Sequence, residues 1–139
     1  MSGDVRDPEP LLAAVDLFHG LSHRQVRKLL DRGRIVTHES GKQVASEGAG
    51  ALALHLILDG SATVAVAGAE VRRLGSGDYF GEISMIDGRP RSATVTAAET
   101  MTTLVIPHTE FERLLDDEPD FARVLLVTLC ARLREAEAR

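Results

Sequence analysis

Two hydrophobic rhythms alternate over three segments of the chain: helical first, then strand-like, then helical again. Residues 11–31 carry two short helical patterns, LLAAVDLF and SHRQVRKLL. In the second, Ser22 is placed to cap the N-terminus, Val26, Leu29 and Leu30 form the apolar face, and Gly33 can end the helix. From Arg34 to Pro107 the pattern switches to short runs rich in Val, Ile, Leu and Thr: RIVTHE, QVASEG, ALHLILDG, SATVAVAG, EVRRLG, SATVTAAE and TTLVIP. Glycines punctuate them, so about seven or eight short strands are expected, in a sandwich, jelly roll or small barrel rather than a parallel sheet. Asp59-Gly60, followed by alternation through Thr63, Val64, Ala65 and Val66, predicts a hairpin.

After Pro107 the helical period returns. In HTEFERLLDDEP, Thr109 can cap, with Glu112 three residues on in a capping-box arrangement, and Pro119 opens a last helix, DFARVLLVTLCARLREAEAR. On that helix Phe121, Leu125 and Thr128 share one face and Leu126, Leu129 and Leu133 a neighbouring one. So broad an apolar sector is expected to cover something besides the sheet beneath it, and pairing with a second copy as a homodimer or with a neighbouring domain are both open. The expected fold is therefore mainly β with flanking α: a β-jelly-roll or β-barrel sandwiched by N-terminal and C-terminal helices. No internal repeat with a period of about 20 to 50 residues is present.

Composition narrows the function. With 139 residues the chain suits one domain that folds without disulfides or metal. Residues 1–10 read as a flexible tail or linker, 11–32 as N-terminal helices, 33–107 as the β-roll and 108–139 as C-terminal helices. The single cysteine, Cys130, lies among aliphatic residues and is expected to be a small core side chain, which suits a reducing cytoplasm. The start, MSGDVRDPEP, lacks a charged n-region and an apolar run, and no segment reaches the roughly 18 to 20 apolar residues of a membrane span. A net charge of −5 disfavours a nucleic-acid surface. His19, His23, His38, His55 and His108 form no pair with metal-ligand spacing, and no nucleophile elbow or Walker loop occurs, so neither a metal site nor an enzyme is expected.

One segment, FGEISMIDGRPRSATV, Phe80 to Val95, interrupts the β pattern and carries the chemistry. Glu82 to Asp87 is long enough for a short helix, with Gly88 as left-handed terminator and Pro90 just beyond. The first N–H groups of a helix have no intrahelical partner, and Gly81 ahead of them permits close approach of a ligand to the backbone. Arg91 offers a planar fork of donors suited to a phosphate, and Ser92 adds a hydroxyl. Glu82 would repel a phosphate, but its carboxylate can accept from hydroxyls such as those of a ribose. Arg89, next to this group, is expected to be solvated.

These residues resemble the phosphate-binding cassette of cyclic nucleotide-binding domains, in which Phe-Gly-Glu, a short helix and Pro-Arg are followed by a small or hydroxyl residue and Ala. Phe80, Gly81, Glu82, Pro90, Arg91, Ser92 and Ala93 stand at those positions, and the likeness extends through LDGSATV and RLGSGDYFGE to cover about Leu11 to Arg139. The resemblance implies that the cassette, 80–95, binds a cyclic nucleotide. Arg91 would pair with the cyclic phosphate, Ser92, Ala93 and Ile83 would add contacts, and Glu82 with Gly81 would hold the ribose. Val64, Val66 and Leu74 would line the base pocket. The last helix would close as a lid, with Arg132 stacking on the base. Ser92 stands where the family associates threonine with cGMP, so cAMP is favoured. The implied role is a cytoplasmic regulatory module with cAMP or cGMP as ligand, no other cofactor, no direct nucleic-acid contact, no membrane insertion, and an effector that is covalently linked or separate. The alternatives are a degenerate relative that mediates protein contacts, or the sensor part of a Crp-type transcription regulator; the latter is disfavoured because one terminal helix is followed by no helix-turn-helix.

Overall fold

The computed structural model describes residues 7–45, 52–90 and 93–138. Among these residues, eight strands form two four-stranded antiparallel sheets. The strands are β1 (Arg34–His38), β2 (Gln43–Ala45), β3 (Ala53–Asp59), β4 (Ala62–Val66), β5 (Ala69–Leu74), β6 (Tyr79–Phe80), β7 (Thr94–Ala97) and β8 (Met101–Pro107). The first sheet runs β1-β8-β3-β6 and the second β2-β7-β4-β5. Around them lie helices α1 (Pro8–Ala13), α2 (His23–Leu30), α3 (Glu82–Asp87), α4 (His108–Asp117) and α5 (Pro119–Glu137), with a 3₁₀ turn at Asp16–Phe18. The mainly β fold with flanking helices is the one the sequence predicts, realised as two open sheets.

Strand β3 explains how the layers assemble. Its first six residues are all buried because it is covered on both sides. Successive side chains of a strand point to opposite faces. Leu54, Leu56 and Leu58 face the helices, where they meet Leu17, Phe18, Leu29, Met85, Leu104, Phe111 and Phe121. Ile57 faces the other way, into the sandwich, among Val64, Leu74, Phe80, Val95 and Met101. Burial of about 1.5–3 kcal/mol per large side chain on each face makes this strand the spine that joins helical and β cores. Phe111 and Phe121 meet edge to face at 6.3 Å and lock α4 to α5.

Several local expectations are corrected. Asp59-Gly60 is not a hairpin: β3 pairs with β6 and β8, whereas β4 pairs with β5 and β7, so the chain crosses there from one sheet to the other. The tight hairpin lies at Ala67-Gly68 between β4 and β5, where both residues have positive φ. Helix α1 begins at Pro8 with Asp7 as its cap, so residues 8–10 are helical rather than tail. Ser22 caps α2 and forms a full capping box with Gln25, but α2 ends at Leu30. Gly33 instead lets the chain approach β8, since a Cβ there would meet Leu104 Cδ1 at 2.8 Å. Thr109 does not cap α4, which starts one residue earlier with Pro107 in the cap position and no side-chain cap bond. Cys130 is exposed rather than in the core. Helix α5 buries only Phe121 and Leu125 and leaves Leu126, Val127 and Leu133 more than 60 % exposed, so its apolar sector is wider than the surface it covers.

The corner between α4 and α5 is tied to α2 by charge. Arg32 donates to Asp117 at 2.7 Å, and Lys28 lies 3.1 Å from Glu118. Such surface pairs contribute at most about 1 kcal/mol each, and they hold the junction of α4 and α5 against the end of α2 and the residues just after it.

Candidate functional site

Strand β6 delivers the chain to a turn at Gly81, from which α3 starts. Gly81 has φ +83°, and a Cβ there would lie 2.1 Å from the Ala53 carbonyl oxygen, so no other residue fits this junction without moving the backbone of β3. Seven residues later Gly88, also left-handed, ends the helix as the sequence predicts. Pressed between β3 and α4, this short helix presents its N-terminal end to a cavity of about 140 Å³. One buried water needs roughly 10–15 Å³, so the recess is large enough for part of an organic ligand.

Gly81, Glu82, Ser84, Pro90 and Ala93 line one side of this cavity, and Val64 with Val95 line the sandwich side. Of the residues singled out from the sequence, Gly81, Glu82, Ala93 and Val64 are thus brought together. Leu74 is buried in the sandwich core without lining the cavity. Val66 and Ile83 are exposed. Arg91 and Ser92 lie outside the described residues. Arg132 sits on the exposed side of α5, close enough for its charge to act on Tyr79. Among the described residues no side chain of α5 lines the cavity; the helix packs against α4 and the 3₁₀ turn, with Val124 and Thr128 crossing Gly20.

Sequence reasoning missed part of the wall. Tyr79, Phe80, His55 and Arg72 also line the cavity, and none of the four is among the ligand contacts that the cassette resemblance implies. Burial raises the Tyr79 hydroxyl above the usual phenol range, reinforced by the carboxylates of Asp16 and Glu82 and opposed by Arg132. His55 stacks on Phe80 with ring centroids 4.7 Å apart and planes 8° from parallel. Burial, with the nearby His38, lowers its pKa to about 4, so the imidazole is neutral. The His38 pKa is lowered as well, by burial and by Lys42, and its Nε2 lies 2.9 Å from Thr103 Oγ1.

On its far side the cassette touches the C-terminal helices through His108, the first residue of α4. His108 Nδ1 lies 2.7 Å from the Met85 carbonyl oxygen, so it must donate, and Nε2 lies 3.1 Å from Glu112. Gly88 is packed against the same ring. One side chain therefore connects the end of α3 to the start of α4.

A cavity walled by a β-sandwich, a left-handed Gly-Glu junction and a short helix N-terminus accords with the cassette resemblance, and comparison with known proteins shows the family. Residues 35–118 match the model of the cyclic nucleotide-binding domain. The chain belongs to that family. It is 32% identical over 130 residues to a cyclic nucleotide-gated potassium channel of Mesorhizobium japonicum, covering 94% of this chain and 36% of the channel. It is 36% identical over 108 residues to a cAMP-dependent protein kinase regulatory subunit of Eremothecium gossypii, covering 77% of this chain and 24% of that protein. Its length is thus about a third or less of these curated relatives. Among solved structures, the N-terminal domain of a transcriptional regulator from Streptomyces coelicolor superposes with a TM-score of 0.82 at 27% identity, over 92% of this chain and 93% of that one. Thermus thermophilus catabolite activator protein superposes with a TM-score of 0.68 at 31% identity, over 89% of this chain and 61% of that one. No helix among the described residues is long and apolar enough to cross a membrane.

Proposed function

We propose that this domain is a cyclic nucleotide sensor that binds its ligand without transforming it and reports occupancy to a linked or separate effector through its C-terminal helices. The observation that carries the reading is the convergence of Gly81, Glu82, Ala93 and Val64 on one cavity within the matched family region. Arg91 and Ser92 take the cyclic phosphate, where each charge-assisted hydrogen bond is worth about 1.5–3 kcal/mol. Glu82 accepts from the ribose 2′-hydroxyl, beside the close backbone approach that Gly81 allows. Ile83 contributes its backbone rather than its exposed side chain. Val64 is the apolar contact for the base, with Val66 and Leu74 supporting its strand from outside and from the core.

A binding module acts only if its two conformations differ in affinity for the ligand. His108 supplies the connection: a cassette that tightens on a phosphate moves Met85 and Gly88, both against this ring, and with them the start of α4. Helix α4 then carries α5 through the Phe111–Phe121 contact, bringing Arg132 toward the base. Hydrogen exchange of residues 119–138 is expected to slow on saturation with nucleotide, and unchanged exchange there would rule out the moving lid.

For the base, Ser92 in place of threonine favours cAMP. A second reading, cGMP, is favoured by Arg72, which lines the cavity opposite the cassette. A guanidinium can donate two parallel hydrogen bonds to O6 and N7 of guanine, whereas adenine places a donor at the 6-position and loses one of them. Titration of both nucleotides separates the readings: tighter cAMP binding supports the first, and a cGMP preference abolished in Arg72→Leu establishes the second.

A further inference from the structure

Among the described residues, His55 is the one strongly buried, titratable side chain on the cavity wall, and nothing in the cassette reading uses it. It is 7 % exposed, stacked flat on Phe80, and pairs with Phe80 across the β3–β6 ladder. Its two edges have different surroundings. Cδ2 lies 3.7 Å from where a Cβ of Gly81 would sit, so the Cδ2–Nε2 edge runs beside the turn that opens into the cavity next to Glu82. Nδ1, on the opposite edge, is fully enclosed and has no hydrogen-bond partner among the described residues.

That asymmetry selects a tautomer. A neutral imidazole carries one N–H and one bare nitrogen. Enclosing an N–H without an acceptor costs more than enclosing an acceptor lone pair, and unpaired buried N–H groups are correspondingly rarer. The proton therefore belongs on Nε2, leaving the enclosed Nδ1 bare. The lowered pKa keeps the ring neutral throughout the physiological range, so this is a fixed donor and not a titrating one. A fixed neutral donor beside Gly81 and Glu82 lies at the end of the cavity that the cassette reading gives to the ribose.

We propose that His55 is a ligand-contacting residue, donating from Nε2–H to an oxygen of the ribose-phosphate of the bound cyclic nucleotide. This inference rests on the cyclic nucleotide reading of the cavity. It complements Glu82, which can only accept: the pair would recognise one donor and one acceptor on the same sugar-phosphate unit. The flat stack on Phe80 holds the imidazole plane in one orientation, so the donor is preorganised before the ligand arrives.

The test compares the 139-residue chain with His55→Phe and His55→Gln by calorimetric titration of cAMP and cGMP. Phe keeps the ring and the stack on Phe80 but removes the donor; Gln loses the stack but places an amide N–H near the position of Nε2. A donor role predicts about 3- to 10-fold weaker binding in His55→Phe, the range of one hydrogen bond, with affinity largely restored in His55→Gln. A packing role predicts the reverse order, and His55→Phe binding as tightly as the parent overturns the proposal. Nitrogen-15 NMR of the parent's imidazole gives a readout that needs no variant: an Nε2–H tautomer whose shift moves on nucleotide addition is expected, and an Nδ1–H tautomer overturns the proposal. If the parent binds neither nucleotide, the ligand reading itself fails, an outcome distinct from a parent that binds and a His55→Phe variant that binds equally.

Discussion

Gly81 is the position at which fold and site are hardest to separate, and replacing it with alanine has a cost that can be worked out. Two costs add. The first is conformational: φ is +83°, and the left-handed region costs an L-residue about 1–2 kcal/mol. The second is steric, because the new methyl would lie 2.1 Å from the Ala53 carbonyl oxygen and 3.2 Å from its carbon. Ala53 cannot give way cheaply, being the first residue of the central strand β3 and paired with Pro107 of β8. Forcing an extra carbon into such a contact costs about 1–3 kcal/mol, so Gly81→Ala is expected to destabilise by roughly 2–5 kcal/mol in total. A domain of this kind has about 5–15 kcal/mol to lose. The structure contains its own control. Gly68 has the same φ, +83°, with nothing within 4 Å of the Cβ position, so Gly68→Ala should cost only the conformational part, about 1–2 kcal/mol. Urea denaturation of the two variants and the parent measures both. Equal destabilisation of Gly81→Ala and Gly68→Ala would refute the close approach of the cassette turn to β3.

Acid should weaken the fold through His55. The unfolded chain takes up a proton as the pH falls below 6.5, while the native ring resists until about 4, so stability present above pH 6.5 is lost between these values, by about 3 kcal/mol. Urea midpoints measured from pH 7 to 4 should fall steeply in the parent and less in His55→Phe; parallel curves would contradict the buried neutral imidazole. Truncating Phe111, fully buried at the junction of α4 and α5, should cost about 3–5 kcal/mol in urea denaturation, and a loss below 1 kcal/mol would show that α4 is not anchored there.

Much of this fold is legible in local chemistry. Gly81, Gly88 and Pro90 bracket α3 in sequence as they do in space, and the apolar run of β3, broken within Ala53–Leu58 only by His55, suits a strand covered on both faces. What stayed hidden is decided by pairing. Asp59-Gly60 has the composition of a two-residue hairpin, yet the same bend serves as a corner between sheets, and only the partners of β3 and β4 tell them apart. Strand β6 has two residues, too few for any alternation to show. His55 and Arg72 reach the cavity from β3 and β5, outside the cassette, so no spacing within that motif could gather them. Cys130 was misplaced because α5 is apolar on more sides than this chain buries, and an outward apolar row reads like an inward one.

The central claim, that the cavity at the head of α3 holds a cyclic nucleotide gripped by Arg91, is tested most directly by calorimetric titration. The protein is first unfolded and refolded to strip any nucleotide carried over from expression, and cAMP and cGMP are titrated into the parent and into Arg91→Ala. The account predicts saturable one-to-one binding in the parent, lost or weakened at least about 10-fold in the variant, as removal of a charge-assisted phosphate contact requires. Binding that is equal in the two proteins would contradict the assignment of the cassette, and no binding of either nucleotide to the refolded parent would contradict the function itself.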